Sequence, residues 1–272
     1  TSTGNNLNYY WNFHDLRSYG NNTSTIVNPS HIFEAYGNNT QTFGVFLRVT
    51  DSYGCIDTIT KPITVLQKPD DSLHENLWLP NSNFPNTFAA CNASSQNPIG
   101  TFQFTNGSTT QATNTWYHID WGDPSIPDFN QATFNNAIDI TYTSLGYTTL
   151  TYTINGQNGC NNTRLYNVFV GNFAGGGLGN PGSTAGTAEF CISFPIQPES
   201  YDNPPGTLFN FDWGDGTTQT IAREDLPVNG IIEHCYTTCS TIQQGNPPKY
   251  GFLASCNAEN PCGSITTSVW PI

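Results

Sequence analysis

The stretch FNFDWGDGTT (Phe209–Thr218) decides how this chain folds. Alternating residues run into Asp212, Trp213, Gly214, Asp215 and Gly216. Two related stretches precede it, YHIDWGDPS (Tyr117–Ser125) and YYWNFHDLR (Tyr9–Arg17). Apolar–polar alternation describes a half-buried strand, and Asp-Gly is a turn pair that tolerates positive φ. Two aspartates so spaced admit three readings: an acid pair, part of a calcium shell, or a hairpin turn. A glycosidase acid pair must straddle a bound sugar across a cleft, and a turn between strands offers none. In the first copy Asn12 replaces the leading aspartate. An amide still accepts a hydrogen bond but cannot serve as an acid. The turn reading is therefore preferred and no catalytic residue is assigned. Calcium is the secondary reading, with Asp120, Asp123, Asp212 and Asp215 as partial ligands in a shell of about six to eight oxygens. No other cofactor is called for.

Working outward, the same order of segments recurs after each copy. SHIF (Ser30–Phe33), DITY (Asp139–Tyr142) and EHCY (Glu233–Tyr236) come next. Long alternating stretches follow: TFGVFLRVTD (Thr42–Asp51), YTTLTYTI (Tyr147–Ile154) and YGFLASC (Tyr250–Cys256). Each leads to a cysteine-bearing loop and a last strand, KPITV (Lys61–Val65), RLYNVFV (Arg164–Val170) or SITTSV (Ser264–Val269). The segments are rich in β-branched and aromatic residues and are separated by turn signals such as NG, GNN and NPPG. The class is all-β, with units expected at 1–67, 68–171 and 172–272.

The pattern resembles the PKD domain, an immunoglobulin-like β-sandwich whose signature reads roughly W-D-F-G-D-G, then H-x-Y, then G-x-Y-x-V-x-L-x-V-x-D. The third copy matches the first part best. The first keeps His31 and Phe33 but has His14 and Leu16 where the family has glycines. The second has Ile140 where the histidine is expected. Copies two and three begin with cysteine-bearing segments, FAACNASS…TFQFTNGS (Phe88–Ser108) and AEFCISFPI (Ala188–Ile196), for which copy one has no counterpart. The first unit is therefore expected to lack its N-terminal strand, as in a fragment of a longer array.

Composition narrows the partners. Among 272 residues only 7 are Lys or Arg, and the net charge is -13, which argues against nucleic acid and anionic membrane surfaces. Only 10% of residues are charged, so the surface is neutral and polar, while 13% aromatic content argues against disorder. No apolar run reaches membrane-spanning length, and no signal peptide is read at the start.

Eight cysteines in such a chain point to an oxidising, extracytoplasmic setting. By repeat position, Cys91 is expected to pair with Cys160 and Cys191 with Cys262, each tying a first strand to a late loop. Cys239 is expected to pair with Cys256, Cys235 is left unassigned, and Cys55, whose partner would lie on the strand the first unit is expected to lack, is expected to be free or artificially paired. The competing reading, a zinc site from Cys235, Cys239, Cys256 and Cys262, departs from the tighter spacing of structural zinc knuckles. The Gly-rich run GNFAGGGLGNPGSTAGT (Gly171–Thr187) contains a literal G-x-G-x-x-G at Gly177, Gly179 and Gly182. It lacks the strand–loop–helix context of a phosphate site, so it reads as a linker or long loop. QKPDDSLHEN (Gln67–Asn76) likewise reads as a solvated linker. Trp78 has no repeat counterpart and is the candidate for ligand contact.

Phrases such as NPSH, VTDSYGC and the Gly-rich run resemble giant surface proteins of Bacteroidota, in particular gliding-motility adhesins of the SprB type exported by type IX secretion. That resemblance implies a secreted, cell-surface stalk and adhesive module without chemistry of its own. Its partners would be neighbouring repeats and an extracellular polysaccharide or solid surface. The alternative is a set of accessory modules on a secreted polymer-degrading hydrolase. The resemblance also implies O-glycosylation at Asp-Ser/Thr-aliphatic triplets, which singles out Ser72 and Thr58.

Overall fold

The computed structural model describes residues 6–35, 40–76, 83–182, 186, 189–241, 243–244 and 249–270. The chain is almost wholly strand and turn, as the alternation requires, and it builds three successive β units.

The first unit has strands β1 (Asn8–Asn12), β2 (Thr23–Ser24), β3 (Gln41–Thr50) and β4 (Ile56–Val65), in the antiparallel order β2-β1-β3-β4. Cross-strand partners share a face. The register Tyr9↔Val49, Trp11↔Leu47, Leu47↔Ile59 and Phe43↔Ile63 therefore lines one face with apolar side chains. His31 and Phe33 pack on this face, against Phe13 and Phe43. Among the described residues no second sheet covers it, and Ile59 and Ile63 remain exposed.

The second unit is a two-sheet sandwich. Its strands are β5 (Leu73–Glu75), β6 (Thr87–Ala90), β7 (Gly100–Asn106), β8 (Asn114–Asp120), β9 (Phe129–Gln131), β10 (Ile138–Tyr142), β11 (Gly146–Gly156) and β12 (Asn161–Val170). One sheet runs β10-β7-β5 and the other β6-β12-β11-β8-β9, with β6 parallel to β12. The opposed inner faces interdigitate Phe88, Phe102, Phe104, Trp121, Leu150, Tyr152 and Val168 in an immunoglobulin-like core.

The third unit repeats the plan with β13 (Phe190–Pro195), β14 (Leu208–Asp212), β15 (Thr218–Ala222), β16 (Ile231–Tyr236), β17 (Gln243–Gln244), β18 (Lys249–Tyr250), β19 (Ala254–Asn260) and β20 (Gly263–Val269). Sheets β13-β16 and β15-β14-β19-β20 enclose Phe194, Phe209, Phe211, Trp213 and Tyr236, and β17-β18 is a separate hairpin.

Two segments read as linkers are parts of these sandwiches. In the Gly-rich run, Ala174 and Leu178 are buried in the third core, and Leu178 bridges Ile196. The Gly177 and Leu178 amides donate to Ser200 Oγ and Thr267 Oγ1, each at 2.8 Å. A Cβ on Gly176 or Gly177 would sit 2.2 Å from the Ser200 or Thr267 hydroxyl oxygen, so glycine is what lets the backbone lie this close. In the stretch read as a solvated linker, Asp71 and Leu73 are buried, and Asp71 pairs with Arg164. Asp70 accepts bonds from the amides and hydroxyls of Ser72 and Thr109. Local composition suggests linkers in both places, but long-range partners at Arg164, Thr109 and Thr267 recruit the segments into the folded units.

The corner glycines of the repeat motif are under a different constraint. Gly122 and Gly214 have φ of 72° and 78°, and an added Cβ would meet Thr149 O at 2.1 Å and Leu253 O at 2.6 Å. Gly216 also has positive φ, 91°, but faces open space. Gly122→Ala and Gly214→Ala are expected to cost roughly 2–4 kcal/mol, against about 1–2 for Gly216→Ala. Denaturant unfolding of the three variants measures this, and equal costs would discount the close approach.

Candidate functional site

The motif aspartates lie at the exit of the central strand of each unit. In the third unit, Asp212 Oδ1 accepts the Gly214 amide at 2.9 Å, and Asp215 Oδ1 accepts the Thr217 amide and hydroxyl. Asp215 Oδ2 lies 2.8 Å from His234 Nε2. The His234 ring stacks flat on Trp213 at 4.6 Å, and the Tyr236 hydroxyl donates to Trp213 O at 3.0 Å. In the second unit, Asp120 accepts the Gly122 amide, Asp123 accepts the Ser125 amide and hydroxyl, and the Tyr142 hydroxyl donates to Trp121 O. Ile140 stands in the histidine position there, and Asp123 is half-buried.

The first unit supplies a member of this group that the sequence reading passed over. Asn12 Oδ1 accepts the His14 amide, and Asp15 Oδ2 lies 3.1 Å from His31 Nε2 with both side chains buried. His31 stacks on Phe13 at 4.2 Å. His14 takes φ of 51°, where the other units place glycine. The spacing Asn12–Asp15 matches Asp120–Asp123 and Asp212–Asp215, and this was the available signal.

The electrostatics follow from these bonds. Burial pushes the Asp215 carboxyl up, but the Thr217 hydroxyl, His234 and the Thr217 amide together outweigh it and hold it below its ordinary value. The Ser125 amide and hydroxyl hold Asp123 low as well. Burial pushes the Tyr142 and Tyr236 hydroxyls up, with the nearby aspartates adding to the effect, so both remain neutral donors. The carboxylates are thus engaged as acceptors for their own turns. Among the described residues, neither aspartate pair joins a cluster of three or more ligand-type side chains. The one such cluster is Cys191, Glu233 and Cys235, and its two sulfurs form a disulfide.

The disulfides differ from the expected pairs. Cys91 bonds Cys262 across two units, with Cα atoms 5.4 Å apart, and Cys191 bonds Cys235. Cys55, Cys160, Cys239 and Cys256 are free thiols, so the Cys91–Cys160, Cys191–Cys262 and Cys239–Cys256 pairs are not formed. The register gives the reason. Val170 pairs with Ala90 in the parallel β6–β12 ladder, so Cys91 lies at the far end of β12 from Cys160. The 10 residues of β12 separate them by about 33 Å. Cys191 and Cys235 are direct cross-strand partners in β13–β16. Disulfide use of Cys235 and Cys262 also removes the zinc reading. Cys256 is buried, which pushes its thiol up to about 12.

Trp78 lies outside the described residues. Among the described residues, the exposed tryptophan of the second unit is Trp116 on β8, whose indole N–H donates to Asn130 Oδ1. It faces outward beside the His118–Asp128 pair and opposite Asn155. Parity with the buried Tyr117 and Ile119 was the sequence signal for it. Ser72, read as a linker residue, lies at the edge of β5 with its hydroxyl donated to Asp70. Thr58 is exposed on β4.

No protein-family model matches the chain, and no curated protein matches it. Among solved structures it is similar to extracellular domains 3–5 of Drosophila OTK, at 10% identity and TM-score 0.31, covering 97% of this chain and 85% of that one. It is similar to a tetra-tandem repeat in the extending region of a large adhesion protein, at 9% identity and TM-score 0.27, covering 99% and 68%. It is also similar to fibronectin(III)-like modules of Clostridium thermocellum CbhA, at 12% identity and TM-score 0.28, covering 72% and 91%.

Because the folded-state Asp215 is held low, its contribution to stability is present above the ordinary carboxylate value of 3.8 and is lost as pH falls through the lower folded value. Asp215→Asn is expected to remove this part of the acid sensitivity while lowering stability at neutral pH, as read by pH-dependent thermal melts. Calcium added to EDTA-treated protein is expected to leave the melting temperature unchanged, because these carboxylates already serve the turns. A calcium-dependent rise lost in Asp120→Asn or Asp212→Asn would place the ion there.

Proposed function

We propose that this chain is a non-catalytic repeat segment of a secreted, extracellular adhesin. It acts as stalk, spacer and adhesive module in surface attachment or gliding motility. The observation that carries the reading is the tandem repetition of one turn node, in which the Oδ1 of Asn12, Asp120 or Asp212 accepts the amide two residues on and closes the same corner of successive units. A residue reused as a structural acceptor in each repeat is suited to building length rather than to chemistry. Two disulfides suit an oxidising exterior, and among the described residues no helix is long and apolar enough to cross a membrane. The polar, weakly charged surface fits a neutral partner such as an extracellular polysaccharide. Trp116, ringed by Asn130, His118 and Asp128, offers a ring face with hydrogen-bonding neighbours for such a sugar. Thr58 and Ser72 are the proposed O-glycosylation positions, with Thr58 the more accessible.

An immunoblot of the source organism, cells against medium, tests the reading. A very large cell-associated band is expected. A modest band released into the medium would favour modules attached to a secreted hydrolase. Trp116→Ala is expected to weaken retention on a bound polysaccharide by about tenfold without lowering the melting temperature. Unchanged retention would move the contact elsewhere.

A further inference from the structure

We infer that the Cys91–Cys262 disulfide is a covalent staple that carries tension directly from the second unit to the third and shields the chain between them from extension. Its relevance in the cell rests on the stalk reading above. The load path itself follows from connectivity.

Cys91 directly follows β6, and Cys262 directly precedes β20. The parallel ladder with β12 carries β6 toward the end of the second unit where the third begins. Beyond Cys262, β20 runs the full length of its hairpin with β19, from Gly263 opposite Asn260 to Val269 opposite Ala254. A pull on the two ends of the chain therefore enters along β6, crosses the sulfur–sulfur bond and leaves along β20. Both strands are already extended, at about 3.3 Å per residue, and have little length to yield. The 171-residue separation between the cysteines is bypassed, including both sheets of the third unit except β20 and the β7–β12 body of the second.

The junction around the staple is packed rather than loose. Tyr147 and Phe169 form a ring pair at 4.9 Å on the second unit. The Pro204-Pro205-Gly206 corner of the third unit lies against it, so closely that a Cβ on Gly206 would meet the Tyr147 ring at 2.5 Å. Asn260 Nδ2 donates to Asn172 O at 3.1 Å beside Cys262. Burial, with Glu259 of the third unit adding to it, pushes the Tyr147 hydroxyl up to about 12. Lateral packing holds the two units in line while the covalent bond takes the axial load. Non-covalent contacts yield under sustained force on the timescale of unfolding, whereas the disulfide does not without a thiol to attack it.

The test is an optical-trap extension of the whole chain through handles ligated to its two ends, with non-reducing peptide mapping of the same sample. Mapping is expected to return a Cys91–Cys262 peptide, and its absence would overturn the staple. In the trap, the fully stretched oxidised chain is expected to be shorter than the dithiothreitol-reduced chain by about 60 nm, the length of the 171-residue bypass. The C91S/C262S variant, which keeps the 44-residue Cys191–Cys235 loop closed, is expected to exceed the oxidised wild type by about 45 nm. Equal contour lengths for wild type and C91S/C262S would refute the proposal. This readout is total length at high force, so it holds even if the variant is unfolded. It is also independent of whether the parent protein proves to be an adhesin.

Discussion

Each complete sandwich depends on how it closes the backbone where its central strand leaves the core. Trp121 and Trp213 are buried between the sheets, and their carbonyls need a donor where water is excluded. Tyr142 and Tyr236 reach across to supply it. A buried carbonyl without such a partner would cost about 1–3 kcal/mol. The aspartates on either side of the tryptophan take the amides of the same corner, and glycine lets the turn press against the neighbouring strand. With this corner set, the strand before it, β8 or β14, can pair with β11 or β19 on one side and with the strand after it, β9 or β15, on the other, and the aromatic core closes over the tryptophan.

The first unit shows how far the device can be altered. Phe33 has no hydroxyl to offer, and His14 replaces the corner glycine. The buried Asp15–His31 pair, stacked on Phe13, holds that corner instead. The third unit uses both the tyrosine and the histidine, and the second only the tyrosine. Aspartate in this position is thus a turn former first, with or without a histidine to accompany it.

Between units a different constraint takes over. A string of sandwiches joined only by peptide would bend and extend at each junction, as domains with small interfaces do. Here the Gly-rich segment is drawn into the third core, the diproline corner rests on Tyr147, and a disulfide bridges the gap. The second and third units are therefore coupled much more strongly than their separate hydrophobic cores suggest.

Much of the fold was legible in the chain itself, because it is written in local physics. Period-two alternation marks β3, β11 and β19, and Asp-Gly and NPPG mark turns whatever surrounds them. The spacing of Asp212, Asp215, His234 and Tyr236 repeats closely enough to identify the corner. What only the tertiary structure decided are the choices made between distant residues. The parallel register of β6 carries Cys91 away from Cys160 and toward Cys262, and no spacing along the chain encodes a register. Gly176 and Gly177 resemble a linker until Ser200 and Thr267 are seen to occupy the space their side chains would need. Asp71 resembles a solvated charge until Arg164 arrives from the last strand of its own sandwich. Local preference names the strands and turns, whereas long-range packing selects which cysteines, charges and glycines meet.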